Sequence, residues 1–466
     1  MVAKRPMTVG ELRAAGYQKK NVRQEMRDNL IGKLSSGERL FPGIVGYEDS
    51  VVPALENAIL SGQDIIFLGE RGQAKSRLIR ALVSLLDDEI PTIAGSEIND
   101  DPFDPISRAS IERLAAEGDN TEVAWLTRSE RYGEKLATPD ITIADLIGEV
   151  DPIKVAEGRY LSDELTIHYG LIPRSNRGIF CINELPDLAE RIQVGLLNIM
   201  EEHDVQIRGY RVRLPLDIFV VASANPEDYT NRGRIITPLK DRYGAQIRTH
   251  YPRSLENEIE IMEQERRSWQ DAEFVVTVPQ YMKEIVAEVS RLARRSPDIN
   301  QRSGVSVRAS IANYESLLAN AQRRAIRLGE KDVVPRISDL PFLIPSLSGK
   351  VEFETVEDGR EEQIIEKLIQ GAVHGVFNRY FNIGELEEVV MRFKAGLSVE
   401  AGPDVASSEY TKLLKELEAL KEPVAKLTDG KNKAEQASAV ELILEGLHLN
   451  KRLNKDRLAT RIQYRG

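Results

Sequence analysis

One segment of the sequence carries residues that could bind a chain of phosphate groups: Gly69, Glu70, Arg71, Gly72, Gln73, Ala74, Lys75 and Ser76. Glycines let the backbone curl until successive N–H groups point at phosphate oxygens, and a helix that starts there adds the positive end of its dipole. We expect the Lys75 ammonium to contact the β- and γ-phosphate oxygens and the Ser76 hydroxyl to bind Mg²⁺. These residues therefore predict the binding of a nucleoside triphosphate.

The loop also has the sequence context that such a phosphate site requires. An apolar run, IIFL at 65–68, precedes it, and a helix-like stretch, SRLIRALVSLL at 76–86, follows it. Ala74 stands where the usual pattern has its last glycine, and its Cβ costs on the order of 1 kcal/mol if φ is positive and little otherwise. We therefore expect binding to survive. The alternative, an ordinary tight turn with a chance lysine, does not explain why strand, helix, amine and hydroxyl occur together.

A second apolar run, GIFCI at 178–182, ends in the two polar residues Asn183 and Glu184. A buried strand that ends in this way can deliver a magnesium ligand and a carboxylate that polarises water beside the γ-phosphate. We expect Glu184 to be the general base and Asn183 to lie at the metal. An aspartate is the residue expected at position 183, so one negative charge is missing, and a unit pair at 4 Å is worth ~1–4 kcal/mol. The alternative is a strand end with a solvent-facing Asn-Glu pair.

Three further polar residues could act on the same phosphate. Asn225 follows the strand-like run VVASA and could hold the attacking water opposite Glu184. Arg242 follows a loop, and Arg308 lies at the start of a predicted helix in a later region. Arginine at a subunit boundary or lid can stabilise the charge on a transferring phosphoryl group. Taken alone, either arginine is more often a surface ion-pair residue.

The elements that must position these residues follow from the texture of the sequence. From Phe41 to Tyr251, short apolar runs alternate with helical stretches, which is typical of an α/β fold with a parallel sheet. After Pro252, helical periodicity takes over. We predict four regions: an N-terminal helical arm with a thin apolar stripe at 1–40, a nucleotide-binding core at 41–251, a mainly helical domain at 252–402, and a charged helical tail at 403–466.

Composition narrows the classes of function. A chain of 466 residues predicts roughly three structural units, and a net charge of −11 argues against a nucleic-acid binder that works by bulk charge. The single cysteine, Cys181, excludes an intrachain disulfide and a multi-cysteine zinc site, and the five histidines never fall at an HxxxH spacing. The sequence shows neither a secretory h-region nor about 18 consecutive apolar residues. We expect a cytoplasmic protein without a membrane partner.

Six segments appear in a characteristic order: FPGIVGYEDSV, GERGQAKS, DLIGEVD, GLIPRSNRGIFCINELPDL, VVASANPED and LKDRYGAQI. In this order they resemble the AAA+ ATPases, and within them the branch that holds the magnesium chelatase I subunits and the MoxR-type ATPases. The resemblance is dense from Phe41 to Tyr251 and thinner beyond. It implies an AAA+ P-loop core, with a parallel sheet flanked by helices, followed by a mainly helical lid domain.

The resemblance also implies roles for individual residues, as well as cofactors and partners. It implies that Ile44, Val45 and Gly46 lie near adenine and that Lys75 and Ser76 hold phosphate and Mg²⁺. It also implies that Glu184 is the catalytic carboxylate and Asn225 the sensor-1 residue. Arg242 would be the arginine finger that acts on a neighbouring subunit, and Arg308 would be the sensor-2 arginine. The implied cofactors are ATP and Mg²⁺. The implied partners are further copies of the chain in a hexameric ring and a protein with a von Willebrand factor A domain.

Several functions fit these features. The leading interpretation is a ring-forming, Mg²⁺-dependent ATPase that remodels or activates a partner protein. A first alternative is the ATP-hydrolysing subunit of a true magnesium chelatase, and a second is an ATP-binding scaffold with little turnover, which Ala74 and Asn183 motivate. A transcription activator of the sigma-54 type is disfavoured, because the sequence shows no GAFTGA loop and no helix-turn-helix pattern in the tail.

Overall fold

The structure is a computed structural model, which describes residues 5–150, 164–202, 214–225, 233–267, 273–354, 360–429, 432–458 and 461–466. The chain divides into two compact units, Met1–His250 and Tyr251–Gly466. Of the residues predicted to act on the nucleotide, Arg308 belongs to the second unit and the others belong to the first. The first unit therefore contains the candidate site.

A five-stranded sheet forms the centre of the first unit. Its strands are β1 (Ile65–Leu68), β4 (Tyr132–Leu136), β7 (Gly178–Asn183), β8 (Ile218–Ala224) and β9 (Ala245–Arg248). They lie in the order β4-β7-β8-β1-β9, and every neighbouring pair is parallel. Antiparallel pairs are formed by β2 (Glu89–Ile93) with β3 (Val123–Thr127) and by β5 (Gly148–Val150) with β6 (Ile167–Tyr169). The parallel sheet confirms the predicted α/β core.

Helices cover both faces of this sheet. Along β1, Ile65 and Phe67 pack into one apolar cluster and Ile66 and Leu68 into another, because successive side chains of a strand point to opposite faces. Strands buried on both faces read as continuous apolar runs, which is why the sequence revealed them. The described helices of this unit are Val9–Ala14, Val22–Ser36, Val51–Leu60, Lys75–Ala81, Arg108–Glu117, Ile143–Leu146, Leu171–Arg174, Glu190–Glu202 and Thr237–Arg242, with short 3-10 turns at Leu82–Leu85, Gly118–Asn120, Glu164–Thr166 and Leu185–Asp187.

Helix Val22–Ser36, which precedes Phe41, packs into the core of the first unit. In helix Val22–Ser36, the side chains of Met26 and Leu30 are fully buried in the apolar cluster on one face of the sheet. The stripe looked thin in the sequence because the helix also buries a carboxylate, Glu25, which accepts hydrogen bonds from the guanidinium of Arg131 at 2.6 and 2.7 Å. A buried ion pair thus replaces part of the apolar contact that an amphipathic helix normally makes.

The second unit is mainly helical, as expected. Its described helices are Leu255–Glu265, Gln280–Ala293, Val307–Leu328, Ile344–Ser348, Arg360–Tyr380, Glu387–Lys394, Ser407–Glu416, Lys421–Leu427 and Lys433–Leu449, with 3-10 turns at Ile337–Leu343, Ile383–Leu386 and Glu418–Leu420. Its strands are β10 (Val275–Val276) and β11 (Asp332–Val333), which pair in parallel, and β12 (Ser398–Ala401), β13 (Asn454–Leu458) and β14 (Arg461–Arg465), which form an antiparallel sheet. Within the described part of the chain, no helix has the length and apolar character to cross a bilayer.

The end of the chain differs from the helical tail that its composition suggested. Helix Lys433–Leu449 is buried along most of its length and packs in the same apolar core as the rest of the unit. The basic end then forms β13 and β14 instead of a helix. In β14, the partly buried Ile462 and the buried Tyr464 lie two residues apart, which is the period of a strand, and the Tyr464 hydroxyl donates to the buried carboxylate of Glu445. Charged residues at the end of a chain therefore do not mark a separate solvated segment here.

Candidate active site

The predicted phosphate loop connects β1 to helix Lys75–Ala81, which is the strand-loop-helix order that the motif requires. The loop begins against the end of β8, where the Gly69 N–H donates to the carbonyl of Ala224 at 3.1 Å. A Cβ at Gly69 would lie 1.9 Å from the Thr249 Oγ1 atom, so only glycine fits. The Gln73 side chain accepts hydrogen bonds from the Glu70 N–H at 3.0 Å and from Thr249 Oγ1 at 2.8 Å. These contacts hold the loop in a defined shape.

The Lys75 ammonium lies within this loop. Its Nζ atom donates to the Glu70 carbonyl at 2.9 Å and to the Gly69 carbonyl, and the residue is only 7% exposed. Phosphate oxygens carry charge, so they are stronger acceptors for an ammonium than carbonyl oxygens are. Ser76, the next residue, is exposed at the start of the helix. Phosphate oxygens of a bound nucleotide can therefore replace these carbonyl oxygens as acceptors for the Lys75 ammonium, and the Ser76 hydroxyl is accessible to the same nucleotide.

The unusual residue of the loop, Ala74, adopts a left-handed conformation with φ +55° and ψ 17°. The condition under which its Cβ is costly is therefore met. We expect Ala74→Gly to raise the free energy of unfolding of the first unit by about 0.5–1 kcal/mol, measured by urea denaturation. Ala81 closes the same helix in a right-handed conformation, so Ala81→Gly should lower the free energy by a similar amount. Equal signs for the two substitutions would contradict this account.

The segment predicted to lie near adenine is held beside the phosphate loop. Ile44 is buried, whereas Val45 and Gly46 are partly exposed. The hydroxyl of the following residue, Tyr47, lies 2.8 Å from the carbonyl oxygens of both Gln73 and His250 and donates to this pair. Burial raises the pKa of Tyr47 to about 12, so the hydroxyl keeps its proton. Sequence reasoning missed Tyr47, although it directly follows Gly46 in the motif.

The remaining predicted residues of this unit lie at the edge of the sheet where the phosphate loop begins. Because β1, β7 and β8 are neighbours and parallel, their carboxyl ends meet there. Asn183 ends β7, and Asn225, which is buried, directly follows β8. Glu184 adopts φ +56°, and its N–H donates to the Ser223 hydroxyl at 3.2 Å. The fold thus brings Asn183, Glu184 and Asn225 to one edge with the loop.

A residue that sequence reasoning missed, Glu134 on β4, contacts this edge. Its Oε1 atom accepts a hydrogen bond from the Asn183 amide nitrogen at 2.5 Å, and its carboxylate accepts two from the Arg80 guanidinium at 3.0 Å. The Tyr132 hydroxyl donates to the same carboxylate at 3.0 Å. The hydrogen bonds from Arg80 hold the pKa of Glu134 below its usual value. The side chain of Asn183 therefore lies next to a carboxylate that stays ionised.

Known proteins with related sequences are subunits of magnesium chelatase. The chain is 29% identical over 246 residues to the magnesium-chelatase 38 kDa subunit of Rhodobacter capsulatus. The aligned region covers 50% of this chain and 61% of that protein. It is 26% identical over 261 residues to the magnesium-chelatase subunit ChlI of Nostoc sp. That aligned region covers 55% of this chain and 64% of that protein. The chain is a homologue of the magnesium-chelatase I subunits, which are AAA+ ATPases. The expected resemblance to that group is confirmed.

The extent of these relationships is limited. The chain spans less than two thirds of the length of either relative. No family model matches it. Among solved structures, it is similar to a chain from a complex of the magnesium chelatase subunits BchI and BchD, with 22% identity and a TM-score of 0.37 over 70% of this chain and 98% of that one. It is also similar to NtrX of Brucella abortus in complex with ATP, with 15% identity and a TM-score of 0.39 over 84% and 72% of the two chains.

The oxygen donors at this edge of the sheet suit Mg²⁺ that arrives with a nucleotide. In the parts of the chain that the structure describes, no group of three or more histidine, cysteine, aspartate or glutamate residues could hold a metal ion. The predicted ligands are Ser76 and Asn183; the Asn183 amide oxygen accepts from the Ser223 hydroxyl at 3.1 Å, and its amide nitrogen donates to the Glu134 carboxylate. Mg²⁺ usually keeps several waters and binds through one or two protein oxygens together with substrate phosphates. The donors fit such a site rather than a preformed protein cage.

The two predicted arginines lie in different units of the chain. Arg242 ends helix Thr237–Arg242 in the first unit; its side chain is about one third exposed, and its guanidinium lies 3.6 Å from the Asp241 carboxylate. Arg308 is the second residue of helix Val307–Leu328 in the second unit and is exposed. Exposure suits a side chain that acts on a phosphate bound elsewhere, but it is also usual for surface arginines. The roles of both residues stay predictions.

Proposed function

We propose that this homologue is a Mg²⁺-dependent AAA+ ATPase of the magnesium chelatase I or MoxR type. It would act in the cytoplasm as a hexameric ring and couple ATP hydrolysis to remodelling of a partner with a von Willebrand factor A domain. The observation that carries the proposal is the carboxyl edge of the parallel sheet. Three neighbouring strands end there. The phosphate loop with Lys75 follows β1, Asn183 and Glu184 lie at the end of β7, and Asn225 follows β8. Similarity to chelatase I subunits supports it.

Binding of ATP follows from the geometry of the loop. The backbone N–H groups between Gly69 and Ser76 would surround the phosphates, and Lys75 would exchange its two carbonyl partners for phosphate oxygens. The segment Ile44–Gly46 would contact adenine. Ser76 and Asn183 would hold the magnesium ion, which, when bound, neutralises charge on the phosphate oxygens. The protein thus supplies donors and orientation for an anionic substrate.

Hydrolysis would use the residues at the strand ends. Glu184 would take a proton from a water molecule that Asn225 positions, while the water oxygen forms a bond to the γ-phosphorus. The bond between that phosphorus and the bridging oxygen breaks, and ADP leaves with its electron pair. Arg242 of a neighbouring subunit and Arg308 would stabilise the negative charge that is being transferred. Because the Arg242 guanidinium would act across a subunit boundary, ATP turnover would depend on assembly of the ring.

Two alternative functions have specific support. The curated relatives favour the ATP-hydrolysing subunit of a true magnesium chelatase, and metal insertion into a porphyrin, reconstituted with companion subunits, would establish it. The left-handed Ala74 and the neutral Asn183 favour an ATP-binding scaffold with little turnover. Phosphate release that stays at background with Mg²⁺-ATP, in the wild type as in Glu184→Gln, would favour the scaffold. Capture of partners on Glu184→Gln with ATP would identify what the ring acts on.

The proposal is tested by replacing Lys75. We expect Lys75→Ala to weaken Mg²⁺-ATP binding by at least about 30-fold, since a charge-assisted contact to phosphate is worth about 2 kcal/mol or more. Titration of a fluorescent ATP analogue measures this affinity. Lys33→Ala serves as the control, because Lys33 lies in helix Val22–Ser36 and its ammonium pairs with Glu38, just beyond the end of that helix. Unchanged affinity in Lys75→Ala, or no affinity in the wild type, would refute the proposed site.

A further inference from the structure

The carboxyl edge of the parallel sheet contains a neutral residue, Asn183, next to a carboxylate from a different strand. Glu134 lies on β4 and Asn183 at the end of β7, and these strands are parallel neighbours. The Asn183 amide nitrogen donates to Glu134 Oε1 at 2.5 Å. The negative charge that position 183 lacks is therefore present within one hydrogen bond of it.

This contact determines which way the Asn183 amide faces. A carboxylate accepts hydrogen bonds and cannot donate them, so Glu134 must face the amide nitrogen and leave the Oδ1 atom on the other side. That Oδ1 accepts from the Ser223 hydroxyl at 3.1 Å, and the Ser223 oxygen in turn accepts from the Glu184 N–H at 3.2 Å. A chain of hydrogen bonds thus runs from Glu134 to the backbone of the proposed general base.

The charge of Glu134 is also tied to the phosphate loop. Arg80 donates to both carboxylate oxygens and lies four residues after Ser76, so the two side chains project from the same face of helix Lys75–Ala81. An aspartate at position 183 would place a second carboxylate at hydrogen-bond distance from Glu134. Two like charges at that distance repel strongly, particularly where water is partly excluded. The Asn183 amide can donate to Glu134, whereas an aspartate there would be a second carboxylate that shares the single Arg80 guanidinium.

We propose that Glu134 provides, from β4, the carboxylate that a metal-binding aspartate at position 183 would provide, and that it fixes the orientation of the Asn183 amide at the proposed site for Mg²⁺-nucleotide. Glu134 is thus a positioning residue that acts through Asn183. This inference rests on the proposed function, since it assigns a role in binding Mg²⁺-ATP. It accounts for a departure from the motif by moving one charge to the neighbouring strand.

The test moves the charge between the two positions. The variants are Glu134→Gln, Asn183→Asp and the double substitution, which reverses the hydrogen bond and retains one carboxylate. Affinity for a fluorescent ATP analogue is measured with Mg²⁺ and with EDTA. We expect Glu134→Gln to weaken binding about tenfold with Mg²⁺ and little with EDTA, and the double variant to recover most of that loss. Glu112→Gln, which removes an exposed carboxylate from helix Arg108–Glu117, should change neither affinity.

Thermal unfolding without nucleotide gives a second readout of the same pair. Asn183→Asp should unfold at a lower temperature than the double variant, because only the single variant places two carboxylates together. Equal unfolding temperatures, equal losses of affinity with Mg²⁺ and with EDTA, or no recovery in the double variant would each overturn the inference. Those results with a wild type that binds ATP would leave the proposed function intact. A wild type that does not bind ATP would instead refute both.

Discussion

Replacement of Glu184 by glutamine should lower the ATP turnover of the assembled protein by about 10²–10⁴-fold, which is the usual contribution of a general base. An amide cannot accept the proton of the attacking water, but it has nearly the same size and keeps the backbone N–H that donates to Ser223. Affinity for Mg²⁺-ATP should therefore stay close to that of the wild type. Steady-state phosphate release and titration of a fluorescent ATP analogue measure the two quantities separately.

A neighbouring glutamate provides the matched control for this experiment. Glu190 lies six residues further along, is largely exposed, and pairs at 3.4 Å with Arg234. Glu190→Gln should leave turnover and affinity unchanged, since a surface ion pair is worth little. Wild-type turnover in Glu184→Gln, in an enzyme that is active, would show that another group removes the proton. Loss of affinity together with turnover would show that Glu184 shapes the site instead of performing chemistry.

Replacement of Glu25 by alanine should lower the free energy of unfolding of the first unit by about 3–5 kcal/mol. Glu25 is 4% exposed and Arg131 is 1% exposed, so the substitution would leave a guanidinium buried without its counter-charge. The Glu25 carboxylate also accepts the Asp87 N–H at 2.6 Å, and that donor would lose its partner too. The pair joins a helix from the first 40 residues to the central part of the unit.

Tryptophan fluorescence can follow this unit alone. The sequence has two tryptophans, Trp125, which lies on β3 in the first unit, and Trp269, so a Trp269→Phe background restricts the signal to the first unit. Urea unfolding then gives the free energy. Glu112→Ala, which breaks an exposed pair with Arg108, should cost under about 0.5 kcal/mol. A loss below about 1 kcal/mol in Glu25→Ala would contradict the proposed role of the buried pair.

Local signals explain which parts of the fold could be predicted. The strands β1, β7 and β8 are buried on both faces, so each is a continuous apolar run that is visible without knowledge of its neighbours. The helices of the second unit were predicted from a different local signal, apolar residues that recur with the period of a helix. The segment of β13 and β14 was expected to be helical, because its many charged residues mask a short alternation of apolar and polar side chains. That alternation favours a strand only once Tyr464 packs beside Glu445.

Contacts between distant residues explain what could not be predicted at the site. Glu134 lies within a strand, 49 residues before Asn183, and nothing in its local sequence distinguishes it from an exposed glutamate. The hydroxyl of Tyr47 reaches the Gln73 carbonyl only because the loop folds over it. Such pairs depend on strand order and register, which apolar patterns do not specify. Roles assigned to Lys75, Glu184 and Asn225 stay predictions until they are measured.

The sequence by itself determined the order of strand, phosphate loop and helix, the α/β class and the homology to magnesium-chelatase I subunits, because each depends on residues that are close along the chain or on motifs in a set order. The tertiary structure alone decided that Ala74 is left-handed, that Glu25 and Arg131 form a buried pair, and that the last residues complete a core. These outcomes depend on which surfaces pack together. Desolvation and close packing, acting between residues far apart in sequence, determine them.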